Sequence, residues 1–262
     1  MLRLTSFCFG LAAGGLLIRE RRTRILAERL GAATLETLLN AIDANDAVTG
    51  SHVRRVADYS LILCDAADFD ERTSRSVERV ALFHDIGKIH EALSDIFHEK
   101  SKLTPAERRA VMTHPQRGAD VLAPLAPFYP ELPRGVLSHH ERWDGSGYPR
   151  HLKGRRIPLQ ARVVAIADTF DAITHSRRYN EARSITEAKK AIMEGRGTQF
   201  QPDLVDLFLS PPVIECIEQS IAAGQRPRSK GHRRDGKNIG RSVPDLKFRW
   251  RSSGVARQPL GR

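Results

Sequence analysis

Apolar positions recur along this chain with the period of helices. Leu26, Leu30, Ala33, Leu38 and Ile42 fall close to one face over residues 21–45, which predicts a first helix, either core or a dimerisation helix. A second is predicted over 51–67, with Val53, Val56, Ala57, Ser60, Leu61 and Cys64 on its apolar side and His52 in its first turn. A third, over 71–84, becomes continuously apolar at Val80-Ala81-Leu82-Phe83, as a central buried helix does, and should stop at Ile86-Gly87. Thr104-Pro105-Ala106-Glu107 is a capping box with proline at the first helical position, so a helix starts there and runs to about His114-Pro115. Two more are read over 118–125 and 133–142. A long helix over 158–175 buries Val163 to Ala167 and projects Asp168 and Asp171 from one face. A second capping box, Ser184-Ile185-Thr186-Glu187, precedes the last helices, including 202–209 and 212–223. No stretch carries strand alternation. The expectation is an all-α, bundle-like domain over residues 21–224.

Charge changes the picture only at the end of the chain. The net charge is +11, but residues 225–262 hold 12 Lys and Arg against 2 Asp and Glu, a surplus of +10, which leaves +1 for residues 1–224. The tail reads as a basic, disordered extension, either solvated without a partner or weakly attracted to nucleic acid or anionic lipid. The near-neutral domain gives no reason to expect specific nucleic-acid recognition. Cys8, Cys64 and Cys216 are far apart, which suits unpaired thiols in a reducing, cytoplasmic setting. Residues 4–18 are apolar with arginines on both sides, yet shorter than the ~20 residues of a spanning helix. They read either as a short anchor or membrane-surface segment, or as a remnant of a longer N-terminal region or start-site artefact.

The chemistry lies in histidines and aspartates. His52, His84-Asp85, His114, His139-His140 and Asp168 recur at intervals of about one helix and one connection, as when a helical bundle assembles a metal cluster from several helices. His84-Asp85 and Asp168 sit beside strongly apolar runs, where an unpaired ionisable group costs several kcal/mol. A shared cation accounts for the set more simply than independent pairing of each residue. Mixed imidazole and carboxylate ligands suit iron, manganese or zinc better than calcium, and magnesium least. His90, His98, His151, His175 and His232 lack matched carboxylates and read as exposed surface.

Six blocks in order then define a resemblance: NDAVTGSHVRRV (45–56), HDIGK (84–88), HP (114–115), HHERWDGSGYP (139–149), ADTFDAITHSRRY (167–179) and GTQFQPDLV (197–205). Together they resemble the HD-GYP family of bacterial phosphodiesterases, over nearly the whole expected domain. The resemblance implies a helical HD core with a GYP-motif loop, a site of two or three metals, and hydrolysis of cyclic di-GMP to the linear dinucleotide and sometimes onward to GMP in second-messenger signalling.

Carried over by position, the resemblance implies His52, His84, Asp85, His114, His139, His140 and Asp168 as metal ligands, with Asp85 bridging. Lys88 would contact a phosphate and steady the metal-bound hydroxide or the leaving oxygen. Asp171, Arg177 and Tyr179 fall where the family has substrate-pocket residues, and Gly147, Tyr148 and Pro149 belong to the loop beside the pocket. Three-metal relatives carry a glutamate four residues before the first histidine ligand. Here that position is Val48, so two metals are expected, iron or manganese before zinc. The segment Ile89 to Asp95 departs from the glycine-isoleucine-proline-aspartate found in many relatives, which keeps another cyclic dinucleotide or nucleotide open as substrate. A non-catalytic nucleotide sensor or interaction module is the alternative of a different class.

Overall fold

Short polar side chains set where the helices begin. Asp46 accepts from the backbone N–H of Val48 at 2.9 Å, Asp70 from Thr73 at 2.7 Å, and both expected capping boxes, Thr104 with Glu107 and Ser184 with Glu187, close reciprocally. The computed structural model describes Leu26 and residues 29–44, 46–89, 104–175 and 182–224. The segment 1–20, residues 90–103, Arg177, Tyr179 and the tail 225–262 lie outside the described residues.

In chain order, α1 covers residues 29–44, α2 Ala47–Ala66 and α3 Glu71–Phe83, followed by a 3-10 turn, Ile86–Ile89. Then come α4 Pro105–Val111, α5 His114–Leu122, α6 Glu131–Ser138, α7 Leu159–Thr174, α8 Ile185–Glu194, α9 Pro202–Phe208 and α10 Pro211–Gly224. No strand is present among the described residues, apart from one isolated bridge between Arg196 and Phe200. The all-α expectation therefore holds. No helix among the described residues is long and apolar enough to cross a membrane.

α2, α3 and α7 pack on one another as the centre of the bundle, with α6 against α3, α8 against α7, and α9 and α10 against α2. Val56, Tyr59 and Leu63 of α2, Val77 and Val80 of α3, and Val163, Ile166 and Phe170 of α7 are fully buried, each aliphatic side chain stabilising the fold by roughly 1.5–3 kcal/mol. Phe170 meets Tyr59 and Phe208 edge to face, with ring centroids at 5.7 and 5.4 Å.

Several expected boundaries move, each for a local reason. α2 starts at Ala47 rather than residue 51 because Asp46 caps it, which puts His52 in the second turn. The helix opened by Thr104 ends at Val111; Pro115 has no N–H to offer the Val111 carbonyl four residues back, and the chain restarts at His114 as α5 with the proline in its first turn. α6 stops at Ser138, where His139 caps it. The apolar face read for α1 is also revised. Ile42 is buried and Leu38 packs against the core as expected, but Leu26 and Leu30 are 67% and 68% exposed, and the helix turns Gly31 and Leu35 inward. Gly31 lies against the Tyr129 and Phe128 rings, at a distance where an added Cβ would meet them in ordinary van der Waals contact.

The turn after α3 crosses α5 at very short range. A Cβ on Gly87 would lie 2.1 Å from the carbonyl oxygen of His114 and 2.7 Å from the nitrogen of Gly118. Glycine lets this turn rest directly on the first turn of α5.

Candidate metal centre

That crossing brings helix ends together, and helix ends carry the polar side chains. His84 and Asp85 leave the C-terminus of α3, His114 opens α5, and His139 and His140 follow α6, while His52 and Asp168 come from within α2 and α7. The seven expected ligands converge. His52 Nε2 lies 3.3 Å from Asp168 Oδ1, and His114 Nε2 lies 3.1 Å from His139 Nε2. Asp85 stands between them with its oxygens divided: Oδ1 is 3.4 Å from His114 and 3.9 Å from His139, whereas Oδ2 is 3.5 Å from His84 and 3.9 Å from His52. Two groups of donor atoms, each within a 4.8 Å span, could hold a metal: His52, His84 and Asp85, and His114, His139 and His140.

The backbone selects the nitrogen each ring presents. Nδ1 of His84 donates to the carbonyl of Ala81 at 2.8 Å, that of His114 to Val111 at 2.7 Å, and that of His139 to Val136 at 2.6 Å. Each carbonyl is one of those a helix end leaves without a partner. The bond fixes the proton on Nδ1 and turns the Nε2 lone pair inward, the form a metal ligand needs. Burial pushes these rings below the usual imidazole range, His114 and His139 to about 3 and His140 to about 2, so they are neutral at pH 7. Burial pushes the Asp85 carboxyl up, but Lys88 and the surrounding histidines outweigh it and hold the group well below its ordinary value.

His84 Nε2 and Asp85 Oδ1 are buried with no hydrogen-bond partner. An orphaned lone pair on each costs about 1–3 kcal/mol or more, and a divalent cation would satisfy both. The donor set fits a metal on this ground as well as on its imidazole and carboxylate chemistry.

Lys88 completes the centre, its Nζ 2.6 Å from Asp85 Oδ2. On the other side Tyr148 stacks on His140, with ring centroids 4.9 Å apart and planes at 23°. The loop holding it is built tightly. Gly147 is buried, and a Cβ there would sit 2.3 Å from the nitrogen of Arg142, so its role is close backbone packing, while Pro149 is exposed. Glu141, a buried carboxylate, accepts from the backbone of Arg150 at 2.7 Å and of Leu152 at 2.9 Å. Thr198 and Gln199, in the block 197–205, accept from the backbone of Asp144 and Trp143 at 2.8 and 3.1 Å.

Two expectations are corrected. Asp171, expected in the substrate pocket, is only 1% exposed and lies behind His52, accepting from its Nδ1 at 2.6 Å. Asp168 and Asp171 do share a helix face, but they meet opposite nitrogens of one imidazole. His175, read as surface, has its Nδ1 3.1 Å from Asp171 Oδ1 and is 23% exposed. Arg55, bonded to Asp171, and Glu141, bonded to the loop that carries Tyr148, are positions beside the centre that the sequence pattern did not single out. The signals were present: Arg55 is one turn from His52, His175 one turn from Asp171, and Glu141 ends the His-His-Glu run. Arg177 and Tyr179 lie outside the described residues.

Comparison with known proteins places this geometry. The model of the HD domain family matches residues 36–204. The chain is 34% identical over 174 residues to 3'3'-cGAMP-specific phosphodiesterase 2 of Vibrio cholerae, covering 66% of this chain and 33% of that protein. It is 36% identical over 178 residues to the cyclic di-GMP phosphodiesterase response regulator RpfG of Xanthomonas campestris, covering 67% and 47%. The chain thus spans about a third to a half of the length of these relatives. Among solved structures, the fold is shared with a cyclic GMP-AMP-specific phosphodiesterase of V. cholerae (TM-score 0.54, 23% identity, 76% of this chain and 54% of that one). It is shared too with an HD-GYP-type protein, Bd1817, of Bdellovibrio bacteriovorus (TM-score 0.52, 17% identity, 74% and 62%).

Proposed function

The chain belongs to the HD-domain family, and from that premise we propose that it is a metal-dependent phosphodiesterase that hydrolyses a cyclic dinucleotide. Cyclic di-GMP is the first candidate substrate and 3'3'-cGAMP the second, the substrates that the names of its relatives print. The observation that carries this reading is Asp85, whose two oxygens are shared between two groups of imidazoles. A carboxylate so placed suits two cations, one with His52, His84 and Asp168 and one with His114, His139 and His140. Val48, four residues before His52, is exposed and offers no ligand for a third. Five imidazoles and two carboxylates admit iron, manganese and zinc, and iron or manganese is proposed before zinc on the family resemblance.

Hydrolysis joins a water oxygen to phosphorus, breaks one phosphorus–ester oxygen bond and delivers a proton to the departing ribose oxygen. Bound divalent metals would supply acidification of the water and polarisation of the phosphoryl oxygens. The protein's own groups orient and neutralise. Lys88, held against Asp85, provides positive charge for a phosphate or for the departing oxygen. Tyr148, stacked on His140, would meet the substrate beside the centre. Because residues 1–224 sum to +1, attraction of the dianionic substrate is local to this site and only moderately sensitive to salt.

Product analysis after loading with defined iron, manganese or zinc tests the reading. The linear dinucleotide, or GMP, should accumulate from cyclic di-GMP or 3'3'-cGAMP. Binding of either without turnover under all three metals would replace the enzyme by a sensor.

A further inference from the structure

The five histidines of the centre are not all held in the same way. His84, His114 and His139 each bond Nδ1 to a main-chain carbonyl, which no side-chain substitution removes. The Nδ1 of His52 is held instead by a side chain. It meets Asp171 Oδ2 at 2.6 Å, and Asp171 is in turn held by Arg55, with Nε on Oδ1 at 2.6 Å and Nη2 on Oδ2 at 3.0 Å, and by His175 at 3.1 Å.

We propose that Arg55 is a positioning residue which, through Asp171, sets the orientation and tautomer of His52 and so controls metal affinity on the His52 side of the centre and not on the other. A carboxylate this deeply buried is retained in ionised form only if donors compensate it. The paired contact of Arg55 does so with fixed geometry. An ionised carboxylate only accepts, so the proton of His52 stays on Nδ1 and its Nε2 faces Asp85 and Asp168. Arg55 lies one turn after His52 on α2, whereas Asp171 and His175 lie on α7 or at its end, so the network also ties the two helices that present His52 and Asp168. None of these contacts reaches His114, His139 or His140.

The inference rests on the proposed metal centre, and the test separates the two. Full-length protein stripped of metal is titrated with Co(II), followed by calorimetry and visible absorption, for wild type, Arg55→Met, Arg55→Lys, Asp171→Asn and His139→Ala. His139→Ala identifies the binding class that belongs to the opposite group. In Arg55→Met and Asp171→Asn the other class should weaken roughly 10- to 100-fold, the usual cost of losing an outer partner of a ligating histidine, with its absorption bands altered. The class lost in His139→Ala should be unchanged, and Arg55→Lys, which keeps the charge without the paired contact, should fall between. Arg55 is 28% exposed, so its replacement leaves the core intact, and far-UV circular dichroism checks this. Equal weakening of both classes, or of neither, in folded Arg55→Met overturns the inference. Wild type that binds no Co(II) overturns the metal centre itself.

Discussion

The two halves of the metal centre reach the same end by different means. On the side of His114 and His139, the rings are oriented by carbonyls at helix ends, and His140 is covered by Tyr148. On the side of His52, His84 is oriented by a carbonyl in the same way, but the orientation of His52 itself is delegated to a buried carboxylate and its donors. A main-chain anchor is fixed once the helix ends where it does, while a side-chain anchor needs a second layer of residues to be right. Asp85 belongs to both halves and is the place where their difference can be removed.

Replacing that shared residue should give the largest effect. Asp85→Ala should lower kcat/KM by roughly 10³-fold or more, about 4 kcal/mol of transition-state stabilisation, and deplete metal on both sides; metal content and turnover measured on one preparation check this. Loss of metal from one side alone would mean that Asp85 does not join them.

Acid should act next, and chiefly on the His114, His139 and His140 side. Burial lowers these rings to about 3, 3 and 2, whereas in the unfolded chain they protonate near 6.5. Below 6.5 the unfolded state therefore binds protons that the folded state does not. The stability of metal-free protein should be full above that pH and decline as pH falls towards 3, by up to about 1.4 kcal/mol per pH unit for each ring. Urea midpoints of chelator-treated protein at pH 7.5, 6 and 5 measure it; a constant midpoint would contradict neutral, buried rings.

A smaller change should separate the halves without touching a ligand. Gly87→Ala places a methyl against the His114 carbonyl and the Gly118 nitrogen, backbone atoms that do not yield easily. It should cost roughly 1–3 kcal/mol, seen as a lower melting temperature, and weaken metal retention. Unchanged melting would show that the turn can shift away from α5.

Much of this was legible in the sequence. Capping boxes at Thr104 and Ser184 announced their helices because the signal is local, and the ligands His52 to Asp168 stood out as polar residues beside apolar runs. What lay hidden depended on which of two neighbours turns inward. The spacing of Asp168 and Asp171 places both on one face of α7, but cannot say that one reaches the cavity side of His52 and the other its back. In α1 apolar residues occupy more than one face, and which of them is buried depends on contacts distant in sequence, such as that of Gly31 with Tyr129. Arg55 gave no sign beyond its spacing from His52, since an arginine on an amphipathic helix is ordinarily solvated.

The ligands come from α2, α3, α5, α6 and α7; each group of three donors lies on two consecutive helices, α2 with α3 and α5 with α6, but the sharing of Asp85 between the groups and the addition of Asp168 from α7 need the folded bundle. A partly folded chain would therefore offer a metal an incomplete set, and binding would favour the native state. Metal supply would then act on the lifetime of the protein as well as on its chemistry: a free concentration 100 times Kd adds about 2.7 kcal/mol for each site by mass action. A cell short of the metal would lose this protein to proteolysis before it accumulated an inactive pool.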